Sequence, residues 1–228
     1  RALVRPPGRR LARRRAAAAM SAGPTPWQRR LGRALGTVAT HVGPARPLVR
    51  RVNRRLWDRR AATWDDGLDP ARRVGLLDLA LDALDLDVAR AADLGTGTGV
   101  GALHLARRFP AARVTGVDVS PRMVDVARAK AGDELAGRVT FVVGDAAALP
   151  FRDGELDLVV QINLPLVAGD LPRALRPGGA FVAVSSLGAG TPFHTPHRTA
   201  ARLLARAGLD VVEIPGAEPE TVLAARRP

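Results

Sequence analysis

The sequence predicts an α/β fold: a seven-stranded, mostly parallel sheet with helices on both faces, preceded by a basic helical extension. Three observations carry this. Strand-like and helix-like segments alternate from residue 74 onward. One apolar strand runs through Ala92 into Asp93-Leu94-Gly95-Thr96-Gly97-Thr98-Gly99, where glycine at every second position lets the backbone approach a ligand before a helix begins. Charge is also segregated: residues 1–60 hold 17 Arg against one acid, a net of +16, whereas residues 61–228 hold 18 basic and 21 acidic side chains, a net of −3.

In chain order, residues 1–26 are rich in Arg, Ala and Pro with no periodic pattern, and are expected to be a disordered tail. Met20 is a candidate translation start, and Ala16 to Met20 is too short for the apolar core of a secretory signal. Residues 27–64 read as the helical extension. Trp27, Leu31, Leu35, Val38 and Val42 share one helical face, Pro44 and Pro47 interrupt, and Leu48, Val52 and Leu56 begin a second stripe among six arginines. Such a helix is expected to pack its apolar stripe on its own domain, with weak contact to an anionic membrane as the alternative. Because residues 65–228 are slightly acidic, no specific nucleic-acid partner is expected.

The core, residues 65–228, opens with a helix near Val74 to Leu84. Strands follow near Ala89–Leu94, Arg113–Asp118, Arg138–Val143, Leu156–Gln161, Gly179–Ser185, Leu209–Ile214 and Glu220–Ala225. Further helices are expected near Val100–Arg108, Pro121–Ala131 and Pro196–Ala207. Ser120-Pro121 reads as an N-cap and first helical residue, and so does Thr195-Pro196. The span 163–176 is short for a crossover helix, so that helix is expected to be truncated.

Composition narrows the chemistry. There is no cysteine, which excludes a disulfide framework, a thiolate nucleophile and a cysteine-based zinc site. No apolar run approaches the roughly 18 residues of a membrane span. A cytoplasmic enzyme with no resident metal is the expectation.

The glycine turn admits two cofactors. Gly97 to Ala102 can be aligned with the dinucleotide fingerprint, and Asp118 lies where a ribose-binding acid should, which would make the chain an NAD-type oxidoreductase. The longer phrase D-x-G-x-G-x-G uses Asp93 and Gly95 as well, and with it the chain resembles the class I S-adenosylmethionine-dependent methyltransferases. Three further phrases agree: Asp118-Val119-Ser120-Pro121-Arg122-Met123, Gly144-Asp145-Ala146-Ala147-Ala148-Leu149-Pro150-Phe151, and Leu175-Arg176-Pro177-Gly178-Gly179 as a turn into the fifth strand. The resemblance covers about residues 57 to 228 and is nearest to small-molecule enzymes related to ubiquinone and menaquinone biosynthesis.

That resemblance implies a Rossmann-like sheet with an antiparallel last strand, and S-adenosyl-L-methionine as the cofactor. It implies contacts from Asp93, Gly95, Thr96, Gly97 and Gly99 in the turn, from Asp118 to the ribose, and from Val119 and Met123 beside the adenine. Asp145 would accept from the adenine amino group, with the Ala146 backbone N–H donating to the ring. Gln161, at the end of the fourth strand, is expected to touch the methionine part. Trp64 is expected either to fold over the cofactor or to anchor the extra helix.

Methyl transfer by in-line displacement requires alignment and exclusion of water, and a general base only for an acceptor that must lose a proton. His194 and His197, in the loop after the fifth strand, are the candidate bases. The acceptor is expected to be a small molecule. A non-catalytic membrane- or RNA-associated binding protein retaining this fold is the other alternative.

Overall fold

A computed structural model describes residues 46–228 apart from Gly190, Pro192 and Pro219; the predicted tail and the candidate helix from Trp27 to Val42 lie outside the described residues. The chain runs through α1 (Arg46–Arg60), a 3-10 turn (Ala61–Thr63), α2 (Pro70–Leu84), β1 (Arg90–Leu94), α3 (Val100–Arg108), β2 (Arg113–Asp118), α4 (Pro121–Ala131) and β3 (Val139–Val143). It continues through β4 (Leu156–Ile162), α5 (Leu171–Ala174), β5 (Leu175–Val184), α6 (His197–Arg206), β6 (Asp210–Val212) and β7 (Val222–Arg226).

The strands lie in the order β3-β2-β1-β4-β5-β7-β6. β1 to β5 pair in parallel, and β7 runs antiparallel to both β5 and β6. Strand order therefore reverses between β1 and β4, and the crevice beyond the carboxyl ends of those two strands is where an open α/β sheet binds ligands.

Alternation along the strands builds two cores. Ala91, Leu158, Val160, Val182 and Ala224 meet α2, α3 and α4 through Leu77, Leu81, Leu105 and Val124. Ala92, Val159, Phe181, Leu223 and Ala225 turn to the opposite face and meet α5 and α6 through Leu171, Ala174, Ala200 and Leu204. Adjacent residues of one strand thus belong to different cores, as a sheet covered on both faces demands.

Ser120 caps α4 as predicted, its Oγ accepting from Met123 N at 3.1 Å with Pro121 as first helical residue. Asp69 and Pro70 do the same for α2, which starts four residues earlier than expected. The truncated crossover is the single turn α5.

Three expectations are corrected. Thr195 does not cap α6: its Oγ1 accepts from Leu166 N at 3.0 Å, tying two loops together, and Pro196 stands at the cap position without a side-chain bond. The Pro177-Gly178-Gly179 phrase is not a turn ahead of β5 but an irregularity within it, pairing with β4 from Leu175 and shifting register before Ala180. On α1, the stripe expected to pack inward faces out. Val52 and Leu56 are exposed, while Trp57 and Asp58 are half-buried and Ala61 is buried. The reason is a polar anchor: Asp58 Oδ1 accepts from Ser120 Oγ at 2.7 Å, which turns the Asp58 side of the helix toward α4. Among the described residues no helix is long and apolar enough to cross a membrane.

Candidate functional site

The glycine turn sits at the end of β1, held from three sides. Thr96 N donates to Val117 O at 3.0 Å, Gly97 N to Asp118 Oδ2 at 2.9 Å, and Gly99 N to Thr96 O at 2.9 Å. Gly95, Gly97 and Gly99 have φ of 65°, 53° and 89°, in the left-handed region that favours glycine. The alternating glycines follow from this backbone path.

Asp93 lies behind the turn, 1% exposed. Its Oδ2 accepts from Thr96 Oγ1 at 2.7 Å and from Ala102 N at 2.8 Å, so one carboxylate joins strand, turn and the first turn of α3. Burial pushes its pKa up to about 7 against those two hydrogen bonds. Its Oδ1 is buried with no partner among the described residues.

That carboxylate fits because residue 101 is glycine. A Cβ there would stand 2.7 Å from Asp93 Oδ2. Gly101→Ala is expected to lower stability by about 1–3 kcal/mol through overpacking, and to weaken any ligand held by the turn; thermal unfolding of the purified variant checks it.

Asp118 ends β2. Its Oδ2 accepts from Gly97 N and its Oδ1 from Ser120 N at 2.9 Å, and its pKa is raised by burial and by the nearby Asp58 charge against these bonds. Val119 is half-buried beside it. Met123 is 2% exposed on α4 and belongs to the packed interior. β3 pairs with β2 so that Val143 faces Asp118, and Gly144 N donates to Asp118 O at 2.8 Å, which brings half-buried Asp145 and Ala146 to the same end of the sheet. Asp145 Oδ1 accepts from Ala147 N at 3.0 Å.

Gln161 departs from expectation. It is fully buried, its Nε2 donates to Val167 O at 3.1 Å and its Oε1 accepts from Val167 N at 3.4 Å, so both amide atoms serve to hold the loop after β4.

Several site residues escaped the sequence reading. Asp65 Oδ2 accepts from Thr98 Oγ1 at 2.8 Å and from Lys130 Nζ, while Oδ1 faces Arg73 at 3.3 Å. Burial works to raise its pKa, but the hydrogen bonds from Lys130, Thr98 and Arg73 and the Lys130 charge prevail and hold it low. Arg73 is 5% exposed and its Nε has no partner among the described residues. Asp65 and Arg73 come from segments ahead of β1, with no local pattern to mark them.

Trp64 stands over the turn: the space a Cβ at Gly97 would occupy lies 3.4 Å from its Nε1. It packs edge-on to Trp57 and to Phe193, with centroids 5.3 and 5.7 Å away. Leu164, from the loop after β4, covers Gly95 in the same way. Leu164 also lines a cleft with Ala183, Ser185, His197, Glu220 and Val222, about 330 Å³ including its open mouth.

The two histidines part company. His194 is 7% exposed in its side chain and its Nε2 meets Glu220 Oε2 at 2.8 Å, leaving a buried Nδ1 without a partner among the described residues. His197 begins α6, lines the cleft, and donates its backbone N–H to Glu220 at 3.3 Å. Glu220, which links them, carried no signal in the sequence.

Residues 91–179 match the family described as methyltransferase domain. The chain is 40% identical over 126 residues to the demethylmenaquinone methyltransferase of Thermus thermophilus, covering 52% of this chain and 55% of that protein. It is 36% identical over 172 residues to the malonyl-[acyl-carrier protein] O-methyltransferase of Geobacter sulfurreducens, covering 71% and 63%. It thus spans little more than half the length of such curated relatives. Among solved structures, the [4+2]-cyclase SpnF is 28% identical with a TM-score of 0.51, covering 61% of this chain and 57% of that one. The geranyl diphosphate C-methyltransferase of Streptomyces coelicolor A3(2) shares the fold at 17% identity and a TM-score of 0.54, covering 68% and 79%.

Proposed function

Because residues 91–179 of this chain form a class I methyltransferase domain, we propose that the protein binds S-adenosyl-L-methionine at the β1–β4 crevice and transfers its methyl group to a small-molecule acceptor. The observation that carries this is the pair of buried, unpartnered polar atoms flanking the glycine turn. Among the described residues Asp93 Oδ1 is an acceptor and Arg73 Nε a donor without a partner, matching the ammonium and carboxylate of an amino-acid tail. The fit extends along the turn. The groups nearest the faces of Gly95 and Gly97 are the side chains of Leu164 and Trp64, which can swing aside.

On this reading Asp118 takes the ribose hydroxyls with the lone pairs left beside Gly97 and Ser120, and Val119, Asp145 and Ala146 border the base. The bound cofactor supplies an electrophilic methyl on a sulfonium. The chain's own task is to align the acceptor and exclude water. Trp57, Trp64 and Phe193 suit the second task as an aromatic cover.

Calorimetric titration of the full chain tests the assignment. Micromolar binding of S-adenosylmethionine and S-adenosylhomocysteine with none of NADH is expected; binding of NADH alone would replace this reading with the oxidoreductase one.

The cleft beside Leu164 is the proposed acceptor site, and His197, which lines it, and His194, which meets Glu220 of its wall, are the proposed bases for a hydroxyl acceptor. With an acceptor found by labelled methyl transfer, the double variant His194→Ala/His197→Ala is expected to lower kcat by about 100-fold or more while leaving cofactor affinity unchanged. Intact turnover in a variant with both His194→Ala and His197→Ala would end the base assignment. A contact of the basic extension with anionic membranes belongs to the same proposal.

A further inference from the structure

We propose that the outward face of α1 is a docking surface for an anionic lipid bilayer, formed by Val52 and Leu56 within a frame of unpaired arginines. The helix has two working faces. Trp57, Asp58 and Ala61 turn to the domain, where Asp58 holds Ser120 and Trp57 joins Trp64 and Phe193. Val52 and Leu56 lie about 140° and about 100° around the helix from Trp57, at 100° per residue. They are 52% and 39% exposed, two of the four large apolar side chains left exposed among the described residues.

Charge identifies the occupant. Arg55, Arg59 and Arg60, within about 80° of Val52 around the helix, are exposed, as are Arg51 and Arg54 on the Asp58 side, and among the described residues none forms an ion pair or side-chain hydrogen bond. Elsewhere among the described residues Arg73, Arg90, Arg108, Arg173 and Arg176 each meet a carboxylate, and exposed arginines that do not, such as Arg198, Arg202 and Arg206 on α6, are less densely gathered than the five between Arg51 and Arg60. Residues 1–45 cannot neutralise α1, because they contain ten Arg and no acid. A second copy offers little more, since residues 61–228 carry a net of only −3. An anionic surface satisfies both halves of the face, with phosphates on the arginines and acyl chains on Val52 and Leu56.

A nucleic acid would satisfy only the first half. Single strands gain their non-ionic affinity by stacking bases on aromatic rings, and Trp57, the aromatic of this helix, is turned inward.

Co-sedimentation of the full chain with vesicles tests this independently of catalysis. Binding is expected to vesicles of equal parts phosphatidylcholine and phosphatidylglycerol, and to fall about tenfold or more on phosphatidylcholine alone or at high salt. Val52→Asp/Leu56→Asp, at exposed positions, is expected to cut the bound fraction about tenfold with melting temperature and S-adenosylhomocysteine affinity unchanged. Arg55→Gln/Arg59→Gln is the second variant and should weaken the salt dependence. Four outcomes overturn the proposal: no vesicle binding, equal binding to neutral vesicles, undiminished binding by the Val52/Leu56 variant, or variant-sensitive RNA binding or self-association without vesicle binding. Loss of cofactor binding with vesicle binding retained would count against the catalytic reading alone.

Discussion

Asp118→Ala is expected to reduce affinity for S-adenosylhomocysteine by about 100-fold or more, close to 2.7 kcal/mol, the scale of charge-assisted hydrogen bonds lost from a carboxylate. Two effects combine. The proposed ribose acceptor disappears, and the N–H groups of Gly97 and Ser120 lose the buried oxygens that now satisfy them. The second effect also lowers melting temperature, so calorimetry is to be run well below it, with circular dichroism confirming the fold. Unchanged affinity in a folded variant would remove Asp118 from the site.

Asp93→Asn is expected to act in two opposite directions. Burial lifts the Asp93 pKa from 3.8 to about 7, so between those values the folded chain holds a proton that the unfolded chain has released. The associated stability is complete below about pH 4, declines as pH rises, and is gone above about pH 7, amounting to about 4 kcal/mol over the window. An asparagine cannot lose that proton. The variant should therefore gain stability relative to the parent as pH rises from 5 to 8, measured by urea unfolding at each pH. Asp65, whose pKa is held low, titrates in both proteins and cancels in the difference. Cofactor affinity should move the other way, because the amide no longer offers a charged acceptor at the Oδ1 position. A constant stability difference across that range would show that Asp93 is ionised in the folded protein well below pH 7.

Much of the scaffold was readable because its determinants are local. The strand periods, the left-handed glycines and the Ser120-Pro121 cap involve neighbours within a few residues. The site was half readable for the same reason. Asp93, the turn and Asp118 stand at strand ends, where chain direction dictates what they face. Gln161 stands at such an end as well, yet its amide is taken up by Val167, six residues on, because the loop returns over it. The missed residues act over long separations: Asp58 reaches Ser120 across 62 positions, Asp65 reaches Thr98 across 33, and Glu220 meets His194 across 26. No local pattern distinguishes such an acid from a solvated one.

The extension makes the division plain. Its sequence by itself established a basic amphipathic helix, since composition and a 3.6-residue period suffice for that. Which side would face the domain was decided only in three dimensions, when the hydrogen bonds that Asp58 accepts from Ser120 Oγ and Arg122 N and the packing of Trp57 against Trp64 and Phe193 outweighed burial of Val52 and Leu56. Periodicity specifies that a helix has an apolar stripe; the partner surface, assembled from residues far away in the chain, decides whether that stripe is the one it covers.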